Sequence, residues 1–122
     1  MDKKILLVDD AAFMRMLIRN TLTTNGYTNI LEAADGEIAV STYSAEKPDL
    51  VIMDITMPNK TGIEALKEIR RHTTQLPVIM QTAYAFDTDR RIAEEAGCNG
   101  FITKPVMPRE LKMYLDMSLK KA

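Results

Sequence analysis

The sequence predicts an α/β domain, a doubly wound five-stranded parallel sheet with helices on both faces, and three observations carry that prediction. Leu50-Val51-Ile52-Met53 and Ile5-Leu6-Leu7-Val8 are runs of β-branched and other apolar residues without alternation, which read as strands buried on both sides. Strand signals alternate with helical ones along the chain, five of each, which calls for parallel strands joined by right-handed crossovers. The length of 122 residues, with 46% hydrophobic and 27% charged side chains, suits one soluble domain, residues 1–122, with a single core.

Taken in order, Lys3-Lys4-Ile5-Leu6-Leu7-Val8 forms the first strand and ends in Asp9-Asp10. From Phe13 to about Thr24, Phe13, Met14, Leu17, Ile18 and Leu22 fall at helical spacing, with Arg15 and Arg19 on the other side. Asn25-Gly26 stops that helix. Asn29 to Ala33 is a shorter strand, and Asp35-Gly36 turns into a helix through Ile38, Ala39, Val40, Tyr43 and Ser44, which Lys47-Pro48-Asp49 breaks. The central strand Leu50 to Asp54 follows, and Pro58 prevents further pairing. After the loop Asn59 to Gly62, Ile63, Leu66 and Ile69 mark an amphipathic helix. Leu76 to Gln81 is the fourth strand and delivers Thr82 at its end. Asp87 to Ala96 reads as a helix with a thin apolar face, closed by Gly97. Gly100 to Thr103 is the last strand, ending in Lys104-Pro105. Pro108 fits a first helical position, and Leu111, Tyr114, Leu115 and Leu119 line the final helix.

In open parallel sheets the site lies beyond the carboxyl ends of the strands, where strand order reverses. Asp9 and Asp10, Asp54, Thr82 and Lys104 occupy that end of four different strands. One aspartate there would be an ordinary turn residue; four coincident placements are not explained by turn preference. Three carboxylates in one crevice repel, so a proton or a cation must lie between them. Magnesium suits the space, because it takes oxygen ligands, needs one or two protein carboxylates, and accepts phosphate oxygens as further ligands. Lys104 adds a fixed positive charge for a phosphoryl oxygen or for Asp54, and Thr82 has a hydroxyl to donate to the same oxygen. Such a group of residues stabilises a transferring phosphoryl group by charge and position, and an aspartate oxygen can carry it as an aspartyl-phosphate.

These residues resemble the response-regulator receiver domain, in particular the single-domain chemotaxis and phosphorelay type. The resemblance covers nearly the whole chain and rests on Leu7-Val8-Asp9-Asp10, Val51-Ile52-Met53-Asp54 with Met57-Pro58 and Gly62, Thr82-Ala83, and Lys104-Pro105, in the family's order and spacing. It implies the flavodoxin-like strand order 2-1-3-4-5. It further implies that Asp54 accepts phosphoryl from a histidine kinase or a small phosphodonor, and that Asp9, Asp10, Asp54 and the backbone carbonyl of Thr56 bind Mg²⁺. Thr82 then matches the family's switch hydroxyl, Lys104 its ion-pair partner, and Lys104-Pro105 its cis peptide. The protein would catalyse only its own phosphorylation and dephosphorylation.

The switch aromatic, often tyrosine or histidine in the family, is Phe101 here. It has no hydroxyl to donate, so packing alone should bias the switch, and Phe101→Tyr should leave phosphorylated-state affinity for a partner nearly unchanged. Thr56 and Tyr84 match the two positions that flank the path of the hydrolytic water. The Tyr84 ring should shield the acyl phosphate, and Tyr84→Glu should speed its loss. The resemblance places output on the helix after Thr82, the Phe101 strand and the final helix, with Ala83, Tyr84, Phe86, Arg90, Arg91, Phe101 and Met113 as candidate contacts. Against this, charged residues on a helix usually form a solvated face, and Met113 also suits a core position.

The remaining composition excludes several classes. A net charge of −1, from 16 basic and 17 acidic side chains, gives no drive toward nucleic acid or anionic membrane. No apolar run approaches the roughly 20 residues of a membrane span. Cys98, the only cysteine, cannot pair within the chain, which suits a reducing compartment, and the protein is expected to be a cytoplasmic monomer. Lone His72 carries no ligand pattern and reads as a surface residue. A flavodoxin-like nucleotide or flavin binder shares the architecture, but needs a Gly-, Ser- or Thr-rich loop where Asp9-Asp10 places two negative charges. A phosphohydrolase would need a general acid that Ile55 and Thr56 do not supply. No output domain follows residue 122, so the expected output is phosphorylation-dependent binding, for example of a chemotaxis motor component, or transfer to a histidine phosphotransfer protein. Otherwise the chain is a segment of a longer or recombined protein.

Overall fold

A computed structural model describes residues 3–83 and 87–119. The elements are β1 (Lys4–Val8), α1 (Ala12–Thr24), β2 (Asn29–Ala33), α2 (Gly36–Glu46), β3 (Leu50–Asp54), α3 (Gly62–Arg70), β4 (Val78–Thr82), α4 (Asp87–Glu95), β5 (Gly100–Thr103) and α5 (Pro108–Leu119). The strands make one parallel sheet in the order β2-β1-β3-β4-β5. Winding therefore reverses between β1 and β3, and the crevice expected at such a reversal opens above their carboxyl ends.

The alternation of side chains along each strand divides the core into two layers. Leu6, Val8, Val51, Met53, Val78, Met80 and Phe101 face Ala39 and Tyr43 of α2, Ala65, Leu66 and Ile69 of α3, and Ala93 of α4. Ile5, Leu7, Leu50, Ile52, Ile79 and Ile102 face Ile18 and Leu22 of α1 and Leu111 and Leu115 of α5. Each fully buried aliphatic side chain contributes about 1.5–3 kcal/mol, which explains why the unalternating runs of β1, β3 and β4 lie in the middle of the sheet. The same alternation carried one step further puts Asp9, Asp54 and Gln81 on the α1/α5 side, in line with Ile5 and Leu7, Leu50 and Ile52, and Ile79.

Edge strand β2 is blunted by charge. Its Glu32 pairs with Arg15 at 2.7 Å and with Arg19 at 2.6 Å, which ties α1 to the sheet edge. The starts of α2 and α3 follow capping rules: the Asp35 carboxylate accepts from Ile38 N–H at 2.9 Å, and Thr61 with Glu64 forms a reciprocal capping box. The expected stops are present as well. Gly26 (φ 90°), Lys47 (φ 49°) and Gly97 (φ 103°) take left-handed backbone just after α1, α2 and α4.

Two sequence expectations change. The helical spacing of α1 put Phe13 and Leu17 on the apolar face, but they are 65% and 41% exposed. The helix begins directly beyond the end of β1, so its first turns overhang the crevice, and only Ile18 and Leu22 reach the layer beneath. The fourth strand starts at Val78, two residues after Leu76. Pro77 has no N–H for the ladder, although its carbonyl still accepts from Val51 N–H at 3.0 Å.

Candidate functional site

The end of β1 delivers Asp9, which is fully buried, and Asp10, which is exposed. The end of β3 delivers Asp54, 5% exposed. Carboxylate oxygens of all three lie within 4.8 Å of one another. Lys104, just past β5, reaches across two strands: its ammonium lies 3.0 Å from Asp9 Oδ2 and 3.1 Å from Asp54 Oδ2. Its backbone N–H donates to the Thr82 carbonyl at 2.7 Å, which fixes the base of the side chain against β4. The Lys104-Pro105 peptide is cis, as the resemblance implies.

Asp9 is held by several donors. Oδ1 accepts from Ala11 N–H at 2.9 Å, and Oδ2 accepts from Gln81 Nε2 at 3.1 Å as well as facing Lys104. Arg15 donates from Nη1 to the Asp9 carbonyl at 2.5 Å, so the residue that pairs with Glu32 also anchors the site's backbone. Burial pushes the Asp54 carboxyl up from the usual range; Lys104 pulls it back without cancelling that, and the Asp9 and Asp10 charges add to the rise. For Lys104, burial works against the charge, but its bonds to Asp9 and Asp54 outweigh burial and raise its pKa.

The loops around Asp54 are braced by backbone contacts. Gly62 N–H donates to the Ile55 carbonyl at 2.8 Å, and a Cβ on Gly62 would stand 2.0 Å from the Asp54 carbonyl oxygen. Only glycine lets α3 begin so close to the strand end. Asn59, at φ 67°, donates from Nδ2 to Asp35 Oδ2 at 2.8 Å, and Gly36 N–H donates to the Lys60 carbonyl at 3.2 Å. The loop after β3 is thereby clasped to the start of α2.

Of the residues singled out in the sequence, Asp9, Asp10, Asp54 and Lys104 converge. Thr82 is buried at the end of β4, next to Ala83, which is exposed. Thr56 is exposed two residues past Asp54. Phe101 is 3% exposed in the α2/α3/α4 layer, with the Arg90 guanidinium 4.7 Å from its ring centroid. Met113 is exposed on α5, which settles its two readings in favour of the surface. His72 is exposed, as expected. Tyr84 and Phe86 lie outside the described residues. Sequence reasoning missed Gln81 and Arg15. Gln81 left a signal, a carboxamide closing the apolar run Val78-Ile79-Met80, whereas Arg15 looked like any solvent-side helix residue.

The donor set of the crevice, three carboxylates with no sulfur or imidazole, is that of a hard divalent cation such as Mg²⁺. With an ammonium in reach, it is equipped to bind and neutralise phosphoryl oxygens beside a carboxylate. The chain is 48% identical over 105 residues to the chemotaxis protein CheY of Bacillus subtilis, covering 86% of this chain and 88% of that one. It is 44% identical over 116 residues to CheY of Thermotoga maritima, covering 95% and 97%. The structure superposes on the chemotaxis protein CheY4 of Vibrio cholerae with a TM-score of 0.89 at 30% identity, over 98% of this chain and 100% of that one. Residues 5–116 match the response regulator receiver domain, and the chain belongs to that family, the response regulators of two-component signal transduction.

Proposed function

We propose that Asp54 is the phosphoacceptor of this response regulator, that Asp9 and Asp10, with Asp54 and the Thr56 carbonyl, hold Mg²⁺, and that a histidine kinase supplies the phosphoryl group. The observation that carries this reading is the Lys104 ammonium set between Asp9 and Asp54 at 3.0 and 3.1 Å. It holds two buried carboxylates together and lies beside the one that would carry the phosphoryl group. A bound Mg²⁺ would neutralise charge on the phosphoryl oxygens.

The chain's own part is positional. An Asp54 carboxylate oxygen attacks phosphorus; the bond from phosphorus to the donor's nitrogen or acyl oxygen breaks, and its electron pair leaves with the donor. Lys104 neutralises one phosphoryl oxygen, and the Thr82 hydroxyl donates to another. Water later attacks the same phosphorus, releasing inorganic phosphate and restoring the carboxylate. In this sense the protein catalyses only its own phosphorylation and dephosphorylation.

The approach to the site supports a protein donor. A cleft of about 340 Å³ lined by Met14, Leu17, Ile18, Pro105 and Val106 opens beside Lys104. Such a rim suits a donor that places a phosphohistidine over Asp54. Output belongs to the face formed by α4, β5 and α5. Movement of Thr82 toward the phosphoryl group would free space in the layer that holds Phe101, and Arg90 over the ring would report that change to a partner. From its similarity to the chemotaxis proteins we read the protein as a cytoplasmic monomer.

Phosphorylating the protein with a small acyl phosphate and Mg²⁺, then finding by pull-down which proteins bind only that form, tests the output. Capture of a chemotaxis target supports the reading. Capture of a histidine phosphotransfer protein that removes the phosphoryl group would make the chain a phosphorelay intermediate. Equal capture with and without phosphorylation would overturn it.

A further inference from the structure

Gln81 is out of place in β4. The residues before it, Val78, Ile79 and Met80, are apolar and fully buried, and Gln81 is itself fully buried. A carboxamide in such a place is costly unless both its ends find partners. One end does: Nε2 donates to Asp9 Oδ2 at 3.1 Å. The orientation of the amide follows from chemistry, because an ionised carboxylate only accepts, so the nitrogen must face Asp9. The other end does not. Oε1 is buried and receives no hydrogen bond.

The unpartnered acceptor belongs to the crevice. Gln81 is in register with Asp54 across the β3–β4 ladder, and its side chain issues from the same face of the sheet as Asp54 and Asp9. It therefore borders three carboxylates whose oxygens converge within 4.8 Å. The groups bonded to the Asp9 carboxylate are all donors: Ala11 N–H, the Lys104 ammonium and Gln81 Nε2. Beside these carboxylates, Oε1 is a buried neutral acceptor that no group of the protein satisfies, and it can take a donor entering the site. Mg²⁺ keeps several of its waters when bound by one or two carboxylates, and those waters are strong donors.

We propose that Gln81 is a positioning residue of the cation site, holding Asp9 through Nε2 and accepting a hydrogen bond at Oε1 from water that enters with the divalent ion. This rests on the divalent-cation reading of the crevice. The Nε2 contact has a second consequence. Lys104 is shared between Asp9 and Asp54, and when it turns toward a phosphoryl oxygen, Asp9 retains the Gln81 and Ala11 donors and stays in place. Gln81 thus uncouples the position of Asp9 from that of Lys104.

Groups that orient metal ligands from outside the first coordination sphere typically alter affinity 10- to 100-fold when removed. Gln81→Leu and Gln81→Met keep the volume and lose both hydrogen bonds, and each should weaken Mg²⁺ binding by the unphosphorylated protein about tenfold, read by isothermal titration calorimetry. Melting curves in EDTA verify that each variant folds. In the unsubstituted protein, the Gln81 side-chain amide ¹⁵N and ¹³C signals should shift on Mg²⁺ titration with the same dissociation constant as the calorimetry, a readout that needs no variant. Unchanged affinity in a folded variant, or Gln81 signals that ignore Mg²⁺ while those of Asp10 move, overturns the proposal and leaves the cation site standing. If the unsubstituted protein binds no Mg²⁺, the cation reading itself falls.

Discussion

Replacing Lys104 with methionine removes the charge that holds the crevice together while keeping most of the side chain's volume. In the native arrangement the ammonium faces Asp9 Oδ2 at 3.0 Å and Asp54 Oδ2 at 3.1 Å, and these carboxylates are 0% and 5% exposed. Breaking a buried pair by deleting one partner costs about 3–5 kcal/mol, because the other charge stays buried without compensation. Asp9 retains the Ala11 and Gln81 donors, which argues for the lower end, about 3 kcal/mol. An unfolding entropy of about 2.1 cal/mol/K per residue over 122 residues gives about 0.26 kcal/mol per degree, hence a fall in Tm of about 12 °C in EDTA. A divalent ion replaces the missing charge, so the variant's crevice should bind Mg²⁺ more tightly than the native one. At a hundredfold excess over its dissociation constant the ion adds about 2.7 kcal/mol, recovering about 10 °C. Circular dichroism melts of both proteins, in EDTA and across a Mg²⁺ series, make the comparison. A variant that melts with the native protein in EDTA, or gains no more than it from a given Mg²⁺ concentration, would refute the assignment of Lys104 as counter-ion to this cluster.

Gly62→Ala drives a methyl into the Asp54 carbonyl at 2.0 Å, with the Asp54 carbonyl carbon at 2.9 Å and Ile55 Cα at 3.0 Å behind it. Overpacking of this kind costs about 1–3 kcal/mol or more, so Tm should fall by at least 4 °C, and the phosphorylation rate should fall with it as the Asp54 backbone moves. Arg70→Ala removes a guanidinium that donates to the Gly97 carbonyl from Nε at 3.0 Å and Nη2 at 2.8 Å, and to Asn99 Oδ1 at 2.9 Å. Urea unfolding should show a loss of about 2 kcal/mol with an unchanged m-value. Asp35 is held below the usual carboxylate range by the Ile38 N–H first and the Asn59 amide second. A depressed folded pKa means that its stabilisation is present above the unfolded value near 4 and is lost as pH falls through the folded one. The stability gap between the native protein and Asp35→Ala should therefore be constant at neutral pH and narrow below about pH 4 in acid titrations followed by circular dichroism.

The fold was legible because its signals are local. β1, β3 and β4 lie between neighbours on both sides, so their side chains are apolar without alternation, and a run such as Leu50 to Met53 has no competing reading once it is short and bounded by Pro48 and Asp54. The site was legible for a related reason: parallel strands bring their carboxyl ends to one rim, so acidic and basic residues ending separate runs must meet. What was not legible depends on register and on where a helix overhangs. Gln81 can reach Asp9 only because β4 pairs with β3 at Asp54, two strands away from Asp9 in space and 72 residues away in sequence. The Asp35–Asn59 clasp and the Arg15 hook on the Asp9 carbonyl need the same three-dimensional knowledge. Helical periodicity gave Ile18 and Leu22 of the α1 stripe correctly, but not that Phe13 and Leu17 stay exposed, Leu17 lining the cleft beside Lys104.

On the proposed function, Asp54 becomes a transient carrier of phosphorus in a crevice of acidic side chains. Intact-mass spectrometry of the protein incubated with acetyl phosphate and Mg²⁺ tests it most directly. The expected product carries an added mass of about 80 Da that requires Mg²⁺, disappears on standing, and is absent from Asp54→Asn. No added mass in the native protein, or the same addition persisting in Asp54→Asn, would contradict it.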